Sequence, residues 1–185
     1  MEEQEIDIRE AVEKAEAAHE HAEAWMRYLS LATIIIAVIA AIASLLSGTY
    51  SNQAVLEKNE AVLAQNKASD QWSYYQAKGI KKNIADSFYS TTHEASFKTQ
   101  SDGYAKEQAD IQAQAQAFEK QVDAANVASD HSLEKHHKMA FAVTFFQIAI
   151  ALSALASLTK RPSSFYSSLA FAGLGAVYMV LGLLG

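Results

Sequence analysis

Residues 29–47 read LSLATIIIAVIAAIASLLS, nineteen positions without a charge, a proline or a glycine. At about 1.5 Å of rise per residue, a helix of this length covers the roughly 30 Å hydrocarbon core of a bilayer. Two further runs have the same character: MAFAVTFFQIAIALSALASL at 139–158 and FYSSLAFAGLGAVYMVLGLL at 165–184. Three buried core helices would need amphipathic partners to cover them, and too few remain. The runs therefore predict three transmembrane helices. Twenty-eight mostly polar residues precede the first run and no small-x-small cleavage site follows a short apolar core, so it reads as an uncleaved anchor.

The whole-chain averages conceal this division. Over 185 residues the mean hydropathy is -0.04 and half the residues are hydrophobic, as in an ordinary soluble domain. Yet none of the 36 charged residues (15 basic and 21 acidic) falls within 28–54, 139–159 or 162–185. The absence of cysteine excludes disulfides, thiolate metal sites and a cysteine nucleophile. One proline, seven glycines and abundant alanine favour unbroken helix over a turn-rich β fold. A net charge of -6 offers no footprint for nucleic acid.

Orientation rests on basic residues near the span ends. The short connection Lys160-Arg161-Pro162 is purely basic and is expected to stay cytoplasmic, with Arg27 on the same side. The predicted organisation is then a cytoplasmic acidic amphipathic helix at 1–27, spans at 28–48, 139–159 and 165–185, and a basic cytoplasmic loop at 160–164. Residues 49–138 fall on the outer side, as does the C-terminus.

Ninety residues between spans one and two are too many for a structureless loop. Within them AVLEKNE at 54–60 is followed by AVLAQNK at 61–67, a duplicated heptad. Ala77, Ile80, Ile84 and Phe88 continue a helical stripe. In the second half Tyr104, Gln108, Ile111, Ala115, Phe118, Val122, Ala125, Ser129 and Ser132 alternate steps of four and three. The expectation is an all-α integral membrane protein with a long antiparallel coiled-coil hairpin between spans one and two, its arms reaching about 50–60 Å. Two turn signals compete: Ser101-Asp102-Gly103, and a capping box at Thr91 and Glu94 near His93. Residues 90–103 are accordingly read as a cap containing one short helix.

In the cytoplasmic segment Ile8, Val12, Ala15, Ala18, Ala22 and Trp25 share one helix face among many Glu. In span one Thr33, Ala37, Ala40, Ser44 and Ser47 form a small-residue seam, and in span three Ser168, Ala172, Gly175 and Gly182 form another. Gln147 is the one strongly polar side chain deep in span two. With Thr144, Ser44, Ser47 and Thr33 it is a candidate for an interhelical contact or a pore lining.

For chemistry the signals are thin. Glu16-x-x-His19 and Glu134-x-x-His137 match the helical pair of di-iron bundles, but the predicted topology puts them on opposite sides of the membrane. His131, His136 and His137, with Asp130 and Glu134, cluster beside span two as weak metal or pH-sensing candidates, His131, Glu134 and His137 foremost, where interfacial polar anchors look the same. Neither an elbow nucleophile nor a phosphate loop is present. No catalytic residue and no cofactor is expected.

The segment Asp70-Gln-Trp-Ser-Tyr-Tyr-Gln-Ala-Lys-Gly-Ile-Lys81, with Ala142-Val-Thr-Phe-Phe-Gln-Ile-Ala-Ile-Ala-Leu152 and Leu158-Thr-Lys-Arg161, resembles domain-of-unknown-function family 4337, membrane proteins of bacteria. The resemblance covers nearly the whole chain. It implies a bacterial inner-membrane location and this span arrangement, with no activity and no functional residue attached. Gly79 stands where the family pattern is expected to have Ser, a departure expected to loosen the first arm. The functional expectation is a homo-oligomeric scaffold that presents the hairpin to the periplasm; an oligomeric channel is the second reading, and metal or pH sensing the third.

Overall fold

A computed structural model describes the backbone of residues 2–185 and the side chains of residues 13, 14 and 25–185. The small and apolar face expected over 8–22 and the Glu16/His19 pair lie outside the described side chains. Three helices make up the described chain: α1 (Glu2–Thr92), α2 (Ala95–Thr159) and α3 (Pro162–Leu184). Each contains a stretch long and apolar enough to cross a membrane. The helices are organised into two compact units, one comprising residues up to Thr49 and from Glu134 onward, the other Tyr50–Leu133.

Helix ends occur where local chemistry stops the i to i-4 ladder. His93 and Lys160 are the non-glycine residues with positive φ, 57° and 52°. At the first break the His93 N–H still donates to the Tyr89 carbonyl at 2.9 Å, and the Glu94 N–H donates to the Thr92 hydroxyl at 3.3 Å. Arg161 is extended, as expected before proline, and Pro162 occupies the first turn of α3, where no N–H is needed.

This break corrects the expected cap. Helix α2 begins at Ala95 and runs through Ser101-Asp102-Gly103 without turning, so the cap helix is the start of α2 itself. The reason lies in the side chains around the glycine. Ser101 is buried and donates to Asp86 at 2.5 Å, while Lys98 pairs with Asp102 one turn away at 2.9 Å. Those contacts outweigh the helix cost of Gly103, about 1 kcal/mol relative to Ala.

In the first unit α2 presents Met139, Ala142, Phe146, Ala149, Ser153 and Ala156, all buried and spaced by three and four. Span three meets this face with its small residues. A Cβ on Gly175 would lie 2.9 Å from the Phe146 ring, and one on Gly182 would lie 3.0 Å from Met139 Cε. Ser168 is buried, donates to the Ala149 carbonyl at 2.8 Å and shares a 2.7 Å hydrogen bond with Ser153. Ala172 packs half-buried against the core of Ile36, Ala40, Ala43, Ala142, Phe146 and Ala149. Span one differs from expectation: its buried face is Leu29, Ile36, Ala40, Ala43 and Ser47, while Ala37 and Ser44 are exposed. An Ala-rich helix has small residues on several faces, and the one chosen brings Ile36 against Ala142 and Ala149 in the same core.

In the second unit the contacts between α1 and α2 run in reverse order. Ser129 donates to the Ala54 carbonyl at 2.9 Å, Lys58 to Asn126 at 2.7 Å, and Trp72 Nε1 to Glu119 at 2.8 Å. Farther along, Lys78 pairs with Glu107, Ser101 bonds Asp86, and Phe88 stacks on Phe97 at 5.3 Å. The buried residues are mainly small: Ala54, Ala61, Ala64, Ala68 and Ala85 from α1, with Ile111, Ala115, Ala125, Ser129 and Ser132 from α2.

The Gly175 contact yields a direct test. Gly175→Ala forces a methyl group into the buried Phe146 ring, an overpacking expected to cost about 1–3 kcal/mol. Gly173→Ala meets nothing within 4 Å and is expected to leave stability equal or slightly higher. Thermal unfolding of both variants in the same detergent measures the contrast.

Candidate functional site

The sequence candidates divide according to where their helices turn them. Ser47 is buried, and Thr33 is half-buried with its hydroxyl donating to the Leu29 carbonyl at 2.7 Å. Thr33 also borders a hollow of about 300 Å³ with Ser30, Ser153 and Ser157. Ser44, Thr144 and Gln147 are exposed on the outside of the unit. Thr144 satisfies itself by donating to the Ala140 carbonyl at 2.9 Å. Gln147 has no hydrogen-bond partner among the described residues, and the exposed side chains on the neighbouring turns include Phe141, Ile148 and Leu155.

Ser47 is joined to α2 by a histidine. His136 Nδ1 lies 2.9 Å from the Ser47 carbonyl oxygen and 3.1 Å from Ser47 Oγ. The Nδ1 position fits a proton donated to the carbonyl. The neighbouring His137 is exposed, its ring 5.5 Å from that of His136. Glu134 pairs with Lys138 at 2.8 Å, one turn along the same helix. Among the described residues no group of three His, Asp or Glu side chains converges on a point that could hold an ion. The weak metal candidates His131, Glu134 and His137 are therefore not gathered into a centre. Spacing placed His136 in the histidine cluster beside span two but did not point to its partner Ser47, which is 89 positions away.

The segment Trp72 to Lys78 makes three polar contacts between the helices of the second unit. Trp72 bonds Glu119, the Tyr75 carbonyl accepts from Gln108 Nε2 at 3.2 Å, and Lys78 pairs with Glu107. The Lys78 ammonium also lies 5.2 Å from the Tyr74 ring and 5.5 Å from the Tyr104 ring. Hydrogen bonding to Glu107, then to Tyr74, holds the Lys78 ammonium above its ordinary value of 10.5. Gly79 was expected to loosen this arm. Instead its missing side chain makes room for Gln108, whose Nε2 would be 2.8 Å from a Cβ there.

Asp86 sits at the distal end of the same contacts. Lys82 donates to it at 2.8 Å and Ser101 at 2.5 Å, and these two hydrogen bonds, in that order, hold its carboxyl below the ordinary 3.8.

The class is thus defined: an all-α chain whose three helices are each long and apolar enough to cross a membrane. Within it, the family pattern described as Domain of unknown function (DUF4337) matches residues 25–185, and the chain belongs to that family. No curated protein and no solved structure matches the chain significantly.

The Asp86 contacts set a pH dependence. A carboxyl whose folded value is lowered contributes stability that is fully present above its unfolded value and is lost as pH falls through the folded one. Unfolding of the wild-type chain followed between pH 6 and 2 is expected to show an acid slope below about pH 4. That slope is expected to shrink in Asp86→Asn.

Proposed function

We propose that the chain is a non-enzymatic protein of the bacterial inner membrane that crosses the bilayer three times and assembles with copies of itself. Residues 50–133 form an antiparallel helical hairpin outside the membrane and serve as a scaffold or interaction surface. The basic Lys160-Arg161 connection supports an orientation with the N-terminal segment in the cytoplasm and the hairpin and Gly185 in the periplasm.

Gln147 carries the oligomeric reading. An outward amide in the middle of a charge-free, apolar helix has no water to bond in hydrocarbon and no partner within the described chain. A neighbouring copy supplies one. Interhelical hydrogen bonds of this kind contribute roughly 0.6–2 kcal/mol, about 3- to 30-fold in association.

Light scattering of the detergent-solubilised chain is expected to give a mass of two or more copies, with Gln147→Leu shifted toward monomer by that factor. A monomer at every concentration removes the oligomeric reading. Exposure of Gln147, Thr144 and Ser44 also supports a second reading, in which they line a pore between copies. Planar-bilayer recordings separate the two: packing predicts silence, and a pore predicts a conductance altered by Gln147→Leu. For orientation, alkaline phosphatase fused after Gly185 is expected to be active, and activity only from a cytoplasmic reporter there would reverse the topology.

A further inference from the structure

The second unit buries its small residues and leaves its large ones outside. In the duplicated heptad Ala54 is 6% exposed and Ala61 2%, whereas Val55 is 57% and Val62 54% exposed. Ile80 and Ile84 are likewise 62% and 51% exposed. These outward residues share one line along α1. Steps of four and three connect Val55, Asn59, Val62, Asn66 and, through Ser69, Ser73 and Ala77, reach Ile80 and Ile84; Ser87 and Thr91 extend it. Every position is exposed. Its distal end forms an apolar hollow of about 570 Å³ lined by Ile80, Ile84 and Phe88 among others.

Charge identifies the occupant. All nine charged residues between Tyr50 and Thr92 lie off this line. Copies held in one bilayer with one orientation bring the same residue to the same depth, so each position of such a line faces itself. A Lys or Glu would then face its own charge. Val and Ile pack against themselves, and an Asn amide, both donor and acceptor, hydrogen-bonds its twin. Asn at a seam position is also the device by which parallel coiled coils select register. The 37 residues from Val55 to Thr91 span about 55 Å, and a strip about 10 Å wide gives roughly 550 Å² per copy. The total of about 1,100 Å² clears the threshold of about 1,000 Å² for a specific interface.

We infer that this uncharged line on α1, from Val55 to Thr91, is a parallel, in-register coiled-coil seam with the α1 helix of a second copy. The inference rests on the membrane and oligomer reading above and deepens it by naming the surface.

The absence of cysteine makes the test clean. Single variants Asn59→Cys, Val62→Cys, Asn66→Cys and Ile84→Cys are expressed in full-length chain and oxidised in native membranes. Off-line controls are Glu60→Cys on α1 and Asp110→Cys on α2, both exposed. A disulfide requires Cα atoms within about 7 Å, so the four line positions are expected to crosslink to dimer at least about tenfold more than the controls. Val55→Lys, which sets like charges together, is expected to reduce crosslinking at Asn66→Cys. Equal crosslinking at controls and line positions, or none at the line, overturns the seam. Light scattering on the same samples separates the levels: an oligomer without line crosslinks removes only this seam, and a monomer removes the oligomer reading with it.

Discussion

Close approach between helices is the constraint on which both units depend. Phe146 fits against α3 because Gly175 has no side chain, Ser168 reaches the Ala149 carbonyl because both helices are near, and Ala61 and Ala68 are almost fully buried in the second unit. Helices packed mainly through Ala, Ser and Gly leave little room for larger side chains in the seam, and Leu29, Ile36 and Ile111 are the Leu and Ile residues buried there among the described ones. Most of the other large aliphatic residues are turned outward in both units, among them Ile34, Ile35, Val38 and Leu45 in the first and Val55, Leu56, Val62 and Leu63 in the second.

The same packing rule has different consequences in different solvents. In the proposed bilayer, outward Ile and Leu side chains are already in the medium that suits them, and closeness of backbones provides the cohesion. In water, each large side chain left exposed forgoes about 1.5–3 kcal/mol of burial. Polar contacts between the helices of the second unit partly take over the task of holding it together. Trp72 with Glu119, Gln108 with the Tyr75 carbonyl, Lys78 with Glu107 and Ser101 with Asp86 fix the register that a row of alanines specifies weakly.

What could be read from the sequence follows from the same rule. The second-arm series from Tyr104 to Ser132 is inward throughout, because it is the line that carries the large apolar residues Tyr104, Ile111, Phe118 and Val122 at helical spacing. The first arm is ambiguous: its heptad offers an Ala line and a Val/Leu line side by side, and Ala77, Ile80, Ile84 and Phe88 belong to the outward surface. Span one is ambiguous for a related reason, since Ala37 and Ala40 differ in exposure but not in residue type. The turn could only be narrowed to His93 or Gly103 because Gly103 is a strong local signal, while the Ser101 to Asp86 bond beside it joins residues fifteen positions apart. The link from His136 to Ser47 is similarly invisible to spacing.

Gln147 and the Val55 to Thr91 line are opposite anomalies. One is a polar group on the apolar surface of the first unit, and the other is an uncharged, partly apolar line on a charged helix of the second. Neither is explained by contacts within one chain. An unrelated partner protein could cover either surface, but it would have to offer an amide at one depth and a charge-free, 3-4 spaced line at another. A second copy in the same membrane offers both at matching depths without further assumption, because each feature is its own complement. Trp72 and Lys78 bond across to α2 on one side of α1, which commits the other side of that helix to face outward.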